Sequence, residues 1–321
     1  MEPGNVLGNW SFSSPYSPWS DSVMEFVTLV ENSSDDNRLQ PEFGLSLLVK
    51  TRTDQILFDM GAGGCLLDNA EQLDEDLTRV SCGVVSHAHY DHGGGLGAFI
   101  EKNDHAPIYI GQGAAGNYRA NGAAIFPALI EPLVYSLTQS RKRFSRYVGL
   151  DKAHLYNTPK RFVEVAATQE IASDVFLIAH TTNHHPTPEG NKYLLKEDDG
   201  MLVRDDFGHE LIMVVRDPDG MVLITGCGHR GILNMVDTVQ KTFAGESLKA
   251  VVGGFHLARQ PGKPAAAGGP EAVAEIAHYL KERGVKKVIS GHCTGDEACR
   301  VLADVLGEQF ELLSTGSRHT V

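Results

Sequence analysis

The sequence predicts an α/β fold in which two β-sheets pack face to face with helices on the outside. Three observations lead there. Short apolar strand candidates crowd residues 24–110 and again 174–225, giving two strand-rich halves. From residue 232 the rhythm changes to alternating helix and strand. Between the apolar strand at 82–86 and the apolar helix start at 96–100 lie His87, His89, Asp91 and His92, where an open α/β sheet carries a reactive site. With 321 residues and 42% hydrophobic content, the chain is long enough for one large or two modest domains with a sizeable core.

The elements can be justified in order. Residues 1–22 are rich in Ser, Pro, Gly and Trp, lack periodicity, and read as an irregular arm preceding one domain over 23–321. Segments 25–30, 45–50 and 56–59 have the length and β-branched or apolar content of strands with turn chemistry between them, an N-terminal meander. A further strand is expected at 107–110. Residues 112–165 read as irregular with weak helical patches such as 128–137, a candidate lid or insertion over the site. Strands follow at 174–179, 211–216 and 221–225, with Pro218, Asp219 and Gly220 as a hairpin turn. Helices at 232–243, 271–283 and 297–306 then alternate with strands at 250–252, 287–290 and 310–313.

Composition removes several function classes. A net charge of -13, from 28 basic and 41 acidic residues, argues against a nucleic-acid or anionic-membrane surface, because phosphate backbones demand clustered Lys and Arg. The most basic patch, Arg141, Lys142 and Arg143 with Arg146, reads first as a solvated helix face. No apolar run approaches the roughly 20 residues that span a bilayer, and the first residues lack a signal-peptide pattern, so a cytoplasmic protein is expected. Cys65, Cys82, Cys227, Cys293 and Cys299 are odd in number, widely spaced and without a C-x-x-C pair, which fits a reducing compartment.

The chemistry concentrates at 87–92. Neutral imidazole and carboxylate are ligands for zinc, iron and manganese, and the H-x-H-x-D-H spacing offers them from a single turn. Four ligands from one loop cannot all reach one ion well, so others must come from later loops. Three later strands end in histidine after a glycine: His229, His256 and His292.

These motifs resemble the metallo-β-lactamase superfamily and, within it, the dihydropterin synthases of methanopterin biosynthesis. The resemblance spans roughly residues 24–315 and rests on EFGLS at 42–46, LFDMG at 57–61, SHAHYDHGG at 86–94, TGCGHRGI at 225–232, GGFHL at 253–257 and SGHCTG at 290–295. It implies a four-layer αββα sandwich, in agreement with the element order above. It also implies two divalent metal ions, zinc first with iron or manganese as alternatives. His87 and His89 are then expected on one ion, Asp91 and His92 on the other, with His292 completing the second site. The family usually places a bridging carboxylate where this chain has Cys227, so either the thiolate ligates or His229 supplies the missing ligand. For the third ligand of the first ion His229 is favoured over His180, His184, His185 and His209, and His256 is left as a ligand or a substrate contact.

The function expected is a metal-dependent hydrolase, or a related synthase, that turns an activated water on a small phosphorylated or ester substrate. Asp91 is the expected catalytic group, orienting that water and accepting its proton. Asp59, at a strand end, either holds a ligand histidine in its tautomer or caps a turn. Arg230, next to a glycine before a helix, is the expected contact for a substrate anion. Two rivals stay open, a di-iron redox protein and a non-catalytic ligand sensor on the same fold, and the oligomeric state is open, a homodimer being one option.

Overall fold

The computed structural model describes residues 24–125, 130–138, 141–258, 266 and 268–321. The arm expected at 1–22 lies outside these residues. A first seven-stranded sheet runs in the order β18 (Arg318–Thr320), β1 (Glu25–Val30), β2 (Ser46–Lys50), β3 (Gln55–Phe58), β4 (Cys82–Val85), β5 (Ile108–Gly111) and β8 (Phe162–Val165). The first strands form the expected antiparallel meander, and β3, β4, β5 and β8 are parallel. A second seven-stranded sheet runs β17 (Phe310–Leu312), β16 (Lys287–Ser290), β15 (Leu248–Gly253), β14 (Gly220–Thr225), β13 (Ile212–Asp217), β10 (Val175–Ile178) and β9 (Gln169–Ala172), with β14 to β17 parallel.

Period-two alternation divides each strand between two cores. Phe26, Leu47, Val49, Ile56 and Val84 of the first sheet meet Met213, Val215, Val222, Ile224, Ala250 and Val252 of the second in one buried cluster between the sheets. The intervening residues face outward to helices. Val27, Leu29, Leu48 and Leu57 pack with Leu66 and Ala70 of α1 (Leu66–Gln72) and with Leu96 and Phe99 of α3 (Leu96–Lys102). Ile212, Val214, Leu223 and Val251 pack with α6 (Ile232–Thr242), α7 (Gly269–Glu282) and α8 (Asp296–Leu306). Helix, sheet, sheet and helix therefore stack in the four layers expected. Among the described residues no helix is long and apolar enough to cross a membrane.

The stretch expected to be irregular at 112–165 holds regular structure instead. β6 (Tyr118–Asn121) and β7 (Ser145–Tyr147) join the hairpin β11 (Leu194–Asp198) and β12 (Met201–Arg204) in a separate four-stranded sheet. Short helices α4 (Glu131–Thr138) and α5 (Lys152–Asn157) flank it, and β8 closes the edge of the first sheet. Strands of three or four residues are too short to announce themselves by alternation. The small sheet is tied to the histidine loop by the Tyr90 amide, which donates to the Val148 carbonyl at 2.8 Å, and by Arg146, whose guanidinium lies over the Tyr90 ring. Tyr90 opens the one-turn helix α2 (Tyr90–Gly93) that carries Asp91 and His92. The basic patch is thus partly engaged, since Lys142 also pairs with Glu197.

The parallel strands β3, β4, β14, β15 and β16 all end on one edge of the sandwich, and Asp59, His87, Cys227, His229, His256 and His292 follow those ends. The edge is close-packed at the backbone. Gly253 has φ +125°, and a Cβ there would lie 1.8 Å from the Thr225 carbonyl oxygen. Gly253→Ala combines a disfavoured φ with a backbone clash, so a loss of about 3 kcal/mol or more of unfolding free energy is expected. Denaturant unfolding of the variant measures it, and a loss below about 1 kcal/mol would show that the two strand ends can separate cheaply.

Candidate metal centre

The hydrogen-bond network around the histidine loop assigns the tautomers. Asp59, in the left-handed region at φ +59°, ends β3 and turns its carboxylate into the gap between the sheets. Its Oδ1 accepts from the Ser86 amide at 2.7 Å, and its Oδ2 lies 2.7 Å from both the Ser86 hydroxyl and His92 Nδ1. A carboxylate accepts only, so the hydroxyl and the His92 Nδ1–H both donate to it. The Ser86 hydroxyl, its proton committed, then accepts from His87 Nδ1–H at 2.9 Å. Asn191 Oδ1 accepts from His229 Nδ1 at 2.9 Å, and Asn32 Oδ1 from His292 Nδ1 at 3.2 Å.

With the Nδ1 protons placed, the Nε2 atoms of His87, His92, His229 and His292 carry lone pairs, and these face one another. His87 Nε2 is 3.2 Å from His229 Nε2 and 3.0 Å from His89 Nδ1. His92 Nε2 is 3.1 Å from His292 Nε2 and 3.1 Å from the Cys227 sulfur, which lies 3.4 Å from His292 Nε2. The Asp91 carboxylate is 3.6 Å from His92 Nε2 and 3.5 Å from His292 Nε2. Lone pairs held at such separations repel unless a cation or a proton sits between them. Asp91, His92, Cys227 and His292 form one group able to hold an ion, and His87, Cys227 and His229 form another. Cys227 belongs to both, at the position where a bridging carboxylate was expected.

Electrostatics point the same way. Burial drives the His87 and His229 imidazoles well below their usual range, with the neighbouring rings adding to the shift, and pushes His89 down to about 3. These rings stay neutral, as ligands must. Burial opposes ionisation of Asp91, but the imidazoles of His92, His292 and His89 hold its carboxyl well below the ordinary range. Burial also lowers His292, yet the charge of Cys293 and the bond to Asp91 outweigh it and push the ring up to about 9, so a proton competes for the nitrogen a cation would take. The buried Cys227 thiol is pushed well above its usual value, so a thiolate there needs a cation beside it.

The structure therefore gathers His87, His89, Asp91, His92, Cys227, His229 and His292 in one place. His256 lies against His229, ring centroids 4.2 Å apart. The other histidines weighed for the third position fall elsewhere. His180 is exposed, and His185 Nε2 is 3.1 Å from Asp237 between α6 and α7, with His184 beside it. His209 is near but spent: Nδ1 accepts from the Ala88 amide at 3.1 Å and Nε2 bonds Asp205 at 3.2 Å.

Several supporting residues escape a reading of the sequence. Glu210, buried just before β13, accepts from the amides of His229 and Arg230 at 2.7 and 2.8 Å, and burial raises its carboxyl to about 7. Glu31 at the end of β1 accepts from the His292 amide, and Phe207 stacks on the His229 ring at 4.1 Å and 9°. Nothing local in the sequence marks either glutamate, because each takes its role from a partner far along the chain. Arg230 reaches Thr181 with Nε and lines a pocket of about 430 Å³ that opens beside His229, with Arg204 and Asn191 also in its wall.

Gly226 makes the Asp59 junction feasible, because a Cβ there would stand 2.0 Å from the Ser86 hydroxyl and 2.9 Å from Asp59 Oδ2. Asp59→Asn keeps the shape but replaces one acceptor by a donor, leaving the His87 and His92 tautomers unset. Zinc affinity measured by chelator competition is expected to fall about 10- to 100-fold. An unchanged affinity would mean the two rings are oriented by packing alone.

Comparisons with known proteins agree with this architecture. The metallo-beta-lactamase superfamily profile matches residues 39–229. The chain is 28% identical over 300 residues to the 7,8-dihydropterin-6-methyl-4-(beta-D-ribofuranosyl)-aminobenzene-5'-phosphate synthase of Methanocaldococcus jannaschii, covering 91% of this chain and 95% of the relative. Among solved structures, Tm1679, a metal-dependent hydrolase of the beta-lactamase superfamily, superposes with a TM-score of 0.72 at 28% identity, covering 93% of this chain and 99% of the other. Zinc-bound PqqB from Methylobacterium extorquens shares the fold at a TM-score of 0.52 and 11% identity, over 93% of this chain and all of that one. The profile covers more than half of the residues, and the histidine loop it spans is the one that converges with the later strand ends: this chain belongs to the metallo-beta-lactamase superfamily.

Proposed function

We propose that the protein is a metal-dependent hydrolase, or a closely related synthase, acting on a small phosphorylated or ester substrate. The observation that carries the reading is the inward-facing set of Nε2 lone pairs on His87, His92, His229 and His292 around Cys227. His87, His89 and His229 would hold one divalent ion, and Asp91, His92 and His292 the other, with the Cys227 thiolate between them. Ions held there lower the pKa of water and polarise the oxygen on which charge develops. Zinc suits the mixed imidazole and thiolate set better than magnesium or calcium, which prefer oxygen ligands.

Asp91 is held well below the usual carboxylate range, so it stays ionised at any ordinary pH and serves as an acceptor. In that state it orients the attacking water and takes its proton transiently. The chain's closed sheet edge excludes bulk water from the buried side of the cluster, where Asp59, Glu31 and Glu210 fix the ligand loops.

Substrate class is supported by the pocket beside His229. The Arg230 guanidinium is anchored through Nε to Thr181 and reaches the Asp206 carbonyl with Nη1, and it borders, with Arg204, the cavity beside His229. Two guanidinium groups suit a phosphate. Asp205 and Asp206 also line the cavity, but they are engaged by His209 and Lys196. The relative in Methanocaldococcus jannaschii is named for a 5'-phosphate product, which favours the same class.

Metal-loaded protein is expected to hydrolyse phosphodiester or phosphomonoester reporters, and His87→Ala or His292→Ala to lower kcat/KM by about 100-fold or more. Metal-replete protein that turns over no phosphate or ester reporter would favour the ligand-sensor reading instead. Arg230→Ala is expected to raise KM for phosphorylated substrates about 10-fold with kcat little changed and uncharged esters unaffected. An equal loss on charged and uncharged substrates would remove Arg230 from phosphate recognition.

A further inference from the structure

Beside the two groups already described lies a third, which shares Cys227 with them and adds Cys293 and His256, to neither of which the proposed reaction gives a role. We propose that Cys227, His256 and Cys293 form an additional cation position, suited to a soft divalent ion such as zinc or cadmium. One ligand atom from each lies within 4.8 Å of the other two, and all three side chains are buried. The residues come from three separate loops, after β14, β15 and β16, so their convergence is a property of the sheet edge and not of one turn.

The local chemistry is that of a ligand set whose members converge on one point. His256 is buried, and its Nδ1 has no hydrogen-bond partner. A bare imidazole nitrogen enclosed by protein is costly unless something satisfies it. The Cys293 sulfur lies 3.4 Å from the Cys227 carbonyl oxygen and also faces the Cys227 and His256 side chains, so the three groups meet one another. Two core cysteines packing as small apolar groups would need no unsatisfied histidine between loops.

The backbone is bent to produce this arrangement. His256 and His292 adopt φ +50° and +52°, in the left-handed region that non-glycine residues rarely occupy. The Phe255 amide donates to Thr294 Oγ1 at 3.0 Å and the Ala258 amide to the Cys293 carbonyl at 3.1 Å, which clamps the two loops together on either side of His256. Glycines make the room: a Cβ at Gly254 would stand 2.6 Å from the Cys293 sulfur, and one at Gly190 would stand 2.9 Å from His256 Nε2.

The Cys293 thiolate brings a further negative charge to the cluster beside the shared Cys227 sulfur, and thiolates with imidazole select soft or borderline ions. Cys227 is shared with the histidine groups, so an ion here would lie against the main centre and draw on the same sulfur. The inference does not depend on which reaction the protein catalyses.

The test is titration of the full-length, metal-depleted protein with Cd2+, following bound equivalents and the ultraviolet thiolate-to-cadmium absorbance. Cys293→Ser and His256→Asn are the variants, Asn being chosen because it tolerates the left-handed backbone. Each variant is expected to bind one equivalent of Cd2+ fewer than the wild type and to show a weaker charge-transfer band. If either variant matches the wild type in both readouts, that residue is not a ligand and the three-residue position is wrong. Because the two substitutions lie on different loops, failure of one to fold leaves the other decisive.

Discussion

The carboxylate of Asp59 is the interaction on which the centre depends. It touches no candidate ion position itself, yet by accepting from the Ser86 hydroxyl and from His92 it decides where two imidazole protons reside. The choice propagates, because a serine that donates to Asp59 can only accept from His87. Each ring is thereby left with its lone pair on the nitrogen that faces inward. Asn191 and Asn32 impose the same outcome on His229 and His292 from the opposite side. A set of four weak bases in fixed tautomers is in this way pre-organised before any ion arrives, and the cost of ordering it is met during folding and not at binding.

That arrangement is possible only where strand ends from two sheets meet. The first sheet supplies Asp59 and the histidine loop, the second supplies Cys227, His229, His256 and His292, and the apolar layer between them holds the two edges in register. Close approach is bought with glycine: side chains at Gly226 or Gly253 would occupy the space of Ser86 or of the Thr225 backbone. Asp59, His256 and His292 all take left-handed backbone angles at those ends. Strained geometry thus gathers around the cluster while the strands behind it are regular.

The first half of the site was legible because its chemistry is bunched. Three histidines and an aspartate in six residues leave little room for another reading, and strand-end histidines after glycine pointed to His229 and His292. Glu31, Glu210, Asn32 and Asn191 were not legible, since each is a lone polar residue whose meaning comes from a partner elsewhere in the chain, 261 positions away for Glu31 and His292. The fold followed the same rule. Long alternating strands and amphipathic helices lay close to their expected bounds, whereas the small sheet built from β6, β7, β11 and β12 joins two stretches separated in sequence by strands of the main sandwich. Pairing between distant short segments leaves no local trace.

That small sheet has a consequence for how the molecule can diversify. It hangs from the ligand loop through the Tyr90 amide and the Arg146 guanidinium, and the chain running from it toward β13 supplies Phe207, His209 and Glu210 to the other side of the centre. None of its own strands enters the core between the two large sheets. Only Tyr118 and Ala120 of β6 join the outer core beneath the first sheet, so the rest of the small sheet can be reshaped without disturbing the layer between the two large sheets, while a shift of its frame reaches the ligand loop through Tyr90. The frame around the centre and the layer that holds the fold together are thus built largely from different parts of the chain.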